Sequence, residues 1–195
     1  MDLIEFSVTN FRSITTAHKI KLQDFTVLVG KNNEGKSNLL NALNAAMSIM
    51  MNHSMRFSRS RRDVYDWERD FPIQCQNRKH GLESIFKLHF RLKPDELDQF
   101  HSITGIRGNE DIPISIKVGM DNMPHIEIPK RGSSSYNCKS QQVTQFISER
   151  INFNYIQAIR TENMAKTTLS RIINSQLENL KDNPEYTAAI DKIKE

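Results

Sequence analysis

Hydrophobic and polar positions alternate most regularly between residues 82 and 92, where Phe86, Leu88, Phe90 and Leu92 are separated by Lys87, His89 and Arg91. Period-two alternation of this kind predicts a half-buried strand, and Pro94 ends it. Ile112, Ile114, Ile116 and Val118 repeat the pattern, and residues 125–128 return as a hairpin partner after a turn at Asp121 and Asn122. At the N-terminus, Leu3, Ile4, Phe6 and Val8 begin a strand that Asn10 and Phe11 break, and residues 14–22 form a second one, with Ile20 and Leu22 against Lys19 and Lys21. Phe25, Val27, Leu28 and Val29 form a short apolar run that predicts a buried strand.

Helical spacing governs other stretches. Leu39, Leu40, Leu43, Met47, Met50 and Met51 predict a helix over residues 36–51. Pro94 at a first helical position, with Leu97 and Phe100 facing inward, predicts a short helix to about residue 100. Gly132 and Ser133 to Ser135 predict a mobile loop, and residues 141–150 another short helix before a last strand over 153–159. Leu169, Ile172, Ile173, Leu177 and Leu180 then share one face of an amphipathic helix that needs cover. Asn183 and Pro184 interrupt it, and Ile190 and Ile193 suggest a further helix still running at Glu195, which gives the chain a truncated look.

The 195 residues suit one domain, or one domain and the start of another. The expected division is a lobe over 1–160 and a helical arm, or the start of a dimerisation region, over 161–195. A net charge of +4 is compatible with a nucleic-acid partner without arguing for one. Cys75 and Cys138 stand far apart, as free thiols of a reducing compartment do. The six histidines are scattered singly and suggest no metal cluster. No basic-then-apolar leader opens the chain and no apolar run approaches the ~18 residues of a membrane span, so a cytoplasmic location is expected. Residues 52–81 hold Arg56, Arg59, Arg61, Arg62, Arg69, Arg78 and Lys79 interleaved with Phe57, Tyr65, Trp67 and Phe71. Such a stretch either grips phosphate backbone and stacks bases or is a solvated loop with anchoring aromatics.

The chemistry concentrates at residues 26–43, TVLVGKNNEGKSNLLNAL. Gly30, four residues, then Gly35, Lys36 and Ser37 give the spacing of a phosphate-binding P-loop, set between an apolar run and a helix. Glycines let the backbone approach a triphosphate and aim N–H groups at it, and the helix N-terminus adds partial positive charge. The binding set is Gly30, Lys31, Asn32, Asn33, Glu34, Gly35, Lys36, Ser37 and Asn38. Lys36 supplies the catalytic charge at the β- and γ-phosphates, and the Ser37 hydroxyl is the Mg²⁺ ligand. ATP and Mg²⁺ are the expected cofactors.

Two strands precede this loop, and between them stands Val8-Thr9-Asn10-Phe11-Arg12-Ser13-Ile14. The run VTNFRSI followed by VLVGKNNEGKSNLLNAL resembles the N-terminal lobe of ABC-type ATPase heads of the RecF, SMC and OLD families. That resemblance implies an α/β P-loop fold with a mixed β-sheet and a C-terminal helical extension, and carries a phosphate-contacting role onto Arg12. The double asparagine of GKNNEGKS and the run Tyr155-Ile156-Gln157-Ala158-Ile159-Arg160 are most similar to the OLD branch, including Gabija-type defence ATPases. The branch implies association through heads or helical arm, DNA-directed work such as anti-phage defence or repair, and a C-terminal Toprim nuclease or a partner nuclease.

Glu34 departs from the small residue usual at that loop position, and a carboxylate beside phosphates is unhelpful unless it points outward. Gln157 stands where a Mg²⁺-to-water glutamine is found in ABC heads, but the OLD pattern commonly has proline there. A complete head also needs an apolar strand ending in Asp and a catalytic Glu. The sequence holds none: Asp121 follows IKVGM, Asp95-Glu96 follows Pro94, and no LSGG-like signature is visible. One half of an ATP site is therefore expected, with hydrolysis waiting on the other half. A small P-loop kinase and a non-hydrolysing ATP-dependent dimerisation module are the alternatives.

Overall fold

The computed structural model describes residues 1–31, 35–54, 64–106, 110–129 and 133–156. The chain divides into two compact units, Met1–Phe153 and Asn154–Glu195. Only residues 154–156 of the second are described, so the helix expected over 164–180 and Gln157 lie outside the described residues.

Five strands form one sheet: β1 (Asp2–Phe11), β2 (Ile14–Lys21), β3 (Ser84–Arg91), β4 (Asp111–Val118) and β5 (Pro124–Glu127), in the order β2-β1-β3-β4-β5. The register explains why alternation is so clear. Val8 lies opposite Phe86 and Phe86 opposite Ile116, while Phe6, Leu88 and Ile114 form the next row. All six are buried, so one face of three strands presents a continuous apolar surface. Burying each such side chain contributes ~1.5–3 kcal/mol.

Helix α1 (Lys36–Ser54) covers that face through Ala42, Ala45, Ala46, Met47, Ile49 and Met50. The alanines let it approach closely, and the exposed Leu40 lies off the packed stripe. The remaining helices are the short α2 (Trp67–Asp70), α3 (Pro94–Thr104), α4 (Ser133–Cys138) and α5 (Ser140–Ser148). The α5 helix packs against α1 and α3, where the Phe100 and Phe146 rings meet edge to face at 5.2 Å. Helix α3 begins at Pro94 and ends on Gly105 in a left-handed conformation, φ +64°.

The α/β class holds, but the sheet expected to be mixed is antiparallel in every described pairing. The difference lies at the apolar run before the P-loop. Phe25, Val27 and Val29 are 83%, 60% and 89% exposed, and residues 25–29 join no strand. Apolar composition alone does not make a strand, because an extended run needs a neighbour for its backbone groups, and none of the five strands lies beside it. Ser133 to Ser135 were expected in a loop and instead open α4, which buried Tyr136 fastens to the core; Gly132 lies outside the described residues. Residues 153–156 form no strand. No described helix is long and apolar enough to cross a membrane.

Candidate phosphate-binding corner

The P-loop meets the β1–β2 hairpin at one corner. Gly35 has φ +88°, a left-handed conformation that favours glycine, and its carbonyl accepts the first α-helical hydrogen bond from Leu39 at 2.8 Å. Lys36 and Ser37 therefore stand in the first turn of a 19-residue helix whose first turn holds no acidic residue, an electrostatic setting suited to an anion. The Lys36 Nζ donates to the carbonyl of Gly30 at 2.6 Å and to that of Lys31, so the ammonium closes the loop on itself. Ser37 is exposed at the same end, and a serine hydroxyl is a hard oxygen donor of the kind Mg²⁺ takes. Asn32, Asn33 and Glu34 lie outside the described residues, so the outward orientation required of Glu34 does too.

The residues of Asn10-Phe11-Arg12 take three different roles. Asn10 adopts φ +56°, which ends the strand's alternation and sends Phe11 into the core beside Phe86, ring centroids 5.6 Å apart. The Asn10 amide donates to the carbonyls of Gly81 and Glu83 at 3.3 and 3.1 Å. Its own carbonyl accepts from the Ser84 hydroxyl, which also meets Tyr65 Oη at 2.7 Å. Burial pushes the Tyr65 phenol up to about 12, despite the Ser84 hydrogen bond, so it stays a neutral bracket.

Arg12 and Ser13 form the two-residue turn between β1 and β2, closed by the pair Phe11 and Ile14. Arg12 has φ +50°, the left-handed state found at the first position of such turns and disfavoured for a side chain with a Cβ by roughly 1–2 kcal/mol. Its Nε donates to Asp70 Oδ1 at 2.8 Å and its backbone N–H to the Asp70 carbonyl at 2.6 Å. The neighbouring Ser13 hydroxyl accepts from Asn38 Nδ2 at 2.8 Å, and a Cβ on Gly35 would lie 3.5 Å from the same oxygen. Asn38 thus ties α1 to the hairpin, and the structure brings the N-F-R turn and the P-loop together.

Asp70 went unseen in the sequence because it sits inside a stretch dominated by arginines and aromatics. Its carboxylate is buried, which opposes ionisation, but hydrogen bonds from Arg69, then Arg12, then the Asp66 amide outweigh burial and hold it below the usual carboxylate range. The available signal was Asp66-x-x-x-Asp70 itself: Asp66 caps α2 by accepting from the amides of Glu68 and Arg69 at 3.1 and 3.3 Å, which aims Asp70 inward. An open cleft of about 430 Å³ is lined by Glu5, Ser7, His18, Lys87 and His89 among others, and no described P-loop residue borders it. The sharper chemistry is at the loop.

A family model described as an AAA ATPase domain matches residues 1–195. No curated protein matches the chain. Among solved structures, one from work on the ATP-driven dimerization and DNA stimulated activation of SMC ATPases superposes with a TM-score of 0.52 at 16% identity, covering 89% of this chain and 96% of that one. The SMC head bound to the C-winged helix domain of ScpA gives a TM-score of 0.46 at 18% identity, over 78% of this chain and 41% of that one.

Proposed function

Because this chain belongs to the AAA ATPase domain family, we propose that it is the ATP-binding N-terminal lobe of an ABC-type ATPase head. In this reading Gly30, Lys31, Gly35, Asn38 and the intervening residues Asn32, Asn33 and Glu34 shape the phosphate cradle. Lys36 faces the β- and γ-phosphates, Ser37 holds Mg²⁺, and Arg12 adds a second positive charge. Mg²⁺, when bound, neutralises phosphate charge. The observation that carries the reading is the junction of Ser13, Gly35 and Asn38, which supports a single anion site built from the N-F-R turn and the P-loop. Lys36 trades its two carbonyl contacts for phosphate oxygens, so Lys36→Ala is expected to cost on the order of 2–5 kcal/mol of ATP binding. Calorimetry on both proteins tests this, and equal affinities would remove the P-loop from the site.

Hydrolysis calls for a strand ending in Asp and Glu that these 195 residues do not contain. We assign it to another segment or to a second head acting in trans, with 161–195 as the helical arm of a homo-oligomer. The same absence favours a second reading, a non-hydrolysing module in which ATP clamps two copies together; phosphate release separates the two. GKNNEGKS and the run 155–160 support the OLD-like, Gabija-type branch, and with it DNA-directed defence or repair and a Toprim or partner nuclease. Tyr65, Trp67 and Phe71 are buried in the core and so are not offered for base stacking; the proposed DNA contact is the basic residues of the stretch 56–79, of which Arg56, Arg59, Arg61 and Arg62 lie outside the described residues. Duplex binding should fall steeply with salt and weaken when Arg59, Arg61 and Arg62 become Ala, whereas unchanged binding in the triple variant would mark a solvated loop.

A further inference from the structure

We propose that Asp70 is the positioning residue that presents Arg12 to the triphosphate, an assignment that rests on the phosphate-binding reading of Arg12 above. Asp70 grips Arg12 twice. Its carbonyl accepts the Arg12 backbone N–H at 2.6 Å and its Oδ1 accepts Nε at 2.8 Å. The first contact fixes the left-handed backbone of the turn, and the second fixes the direction of the guanidinium.

The choice of Nε is informative. An end-on pair would consume the terminal nitrogens, whereas this contact leaves Nη1 and Nη2 without a hydrogen bond to any described residue on a side chain 34% exposed. Asp70 cannot draw them back, because Oδ2 is already taken by Arg69 Nη2 at 2.7 Å, Arg69 Nε at 3.2 Å and the Asp66 amide at 3.1 Å. A guanidinium edge with two free nitrogens is the group that matches phosphate oxygens in fork geometry. Holding it in advance removes rotamer freedom that binding would otherwise have to freeze.

The anchor itself is rigid. Helix α2 is capped by Asp66, the Trp67 indole donates to the Leu82 carbonyl at 2.9 Å, and the Trp67 amide donates to Asn122 Oδ1 at 2.7 Å. Trp67 and Phe71 stack with centroids 4.9 Å apart. A buried carboxylate on so fixed a support, paired with a one-third-exposed arginine beside the P-loop corner, orients that arginine for a ligand.

Calorimetric titration of ATP with Mg²⁺ into the full chain, with thermal unfolding of each variant, tests the assignment. Asp70→Asn and Arg12→Ala are each expected to weaken ATP binding about tenfold, and the double variant to bind no more weakly than Arg12→Ala alone. The Asp70→Asn loss of thermal stability should persist in the Arg12→Ala background. Arg12→Lys, at a partly exposed position, should bind as weakly as Arg12→Ala, since an ammonium cannot be held from one side while offering a fork from the other. Asp70→Asn at wild-type affinity, or an Asp70→Asn loss undiminished without Arg12, overturns the proposal. If Asp70→Asn does not fold, Arg12→Lys decides alone, and wild-type affinity there overturns it. Lys36→Ala in the same series separates the two levels: full affinity in that variant sinks the nucleotide site itself, whereas its loss beside wild-type binding by Asp70→Asn sinks only the positioning role.

Discussion

At Asp70, burial and ion pairing pull in opposite directions, and the balance makes a pH-dependent contribution to stability. Hydrogen bonds from Arg69, Arg12 and the Asp66 amide outweigh burial, so the folded carboxyl titrates below its unfolded value. The stabilisation is therefore complete above the ordinary carboxylate range, near pH 4, and is lost as pH falls through the lowered folded value. At neutral pH, Asp70→Asn should cost about 1.5–3 kcal/mol, the range for hydrogen bonds to a charged group. Unfolding temperatures of both proteins from pH 7 to pH 3 should converge in acid, and a constant gap would contradict the ion-paired picture. At the residue scale, the sequence shows a motif where its members are local. Gly30, Gly35, Lys36 and Ser37 announce themselves by spacing, because one tight turn must hold them all. Asp70 does not, because its partner Arg12 is 58 positions away and only the folded chain brings them together. The Asn10-Phe11-Arg12 triplet was visible as a unit, but the division into a carbonyl bracket, a core ring and a guanidinium needed the register of β1 and the left-handed turn.

At the scale of elements, alternation and helical spacing were reliable where an element finds its partner inside the chain. Strands β3 and β4 show their buried face in the sequence because each is flanked on both sides in an antiparallel sheet with one covered face. Residues 25–29 have equal apolar character but no strand beside them, so the same pattern is a poor guide there. The two runs should respond differently to substitution. Val29→Thr, at a position 89% exposed, is expected to change stability by no more than about 0.5 kcal/mol. Phe86→Ala, fully buried between Val8 and Ile116, should cost ~3–5 kcal/mol. Chemical denaturation of both variants checks the contrast, and a large loss at Val29 would mean that the run is buried in the folded chain. Helix α4 illustrates the opposite error: its three serines have turn-like composition, and what holds them helical is Tyr136, a tertiary anchor that local propensity does not reveal.

For the whole molecule, the α/β class and the P-loop lobe were readable from the P-loop motif, the N-F-R element and the order of two strands, the loop, a long helix and then a β-rich segment. The antiparallel character of the sheet was not, since strand direction depends on which runs pair, and the run before the P-loop pairs with none of the described strands. In the proposed function this chain holds ATP through the P-loop, while the acidic strand and water-orienting carboxylate that raise the hydrolysis rate come from elsewhere. Steady-state phosphate release, measured on the 195-residue chain at ATP concentrations where calorimetry shows the site filled, tests this division of labour most directly. The expected result is saturable, Lys36-dependent ATP binding with little turnover; brisk Lys36-dependent release by this chain alone would contradict it and would place the missing carboxylates among residues already present.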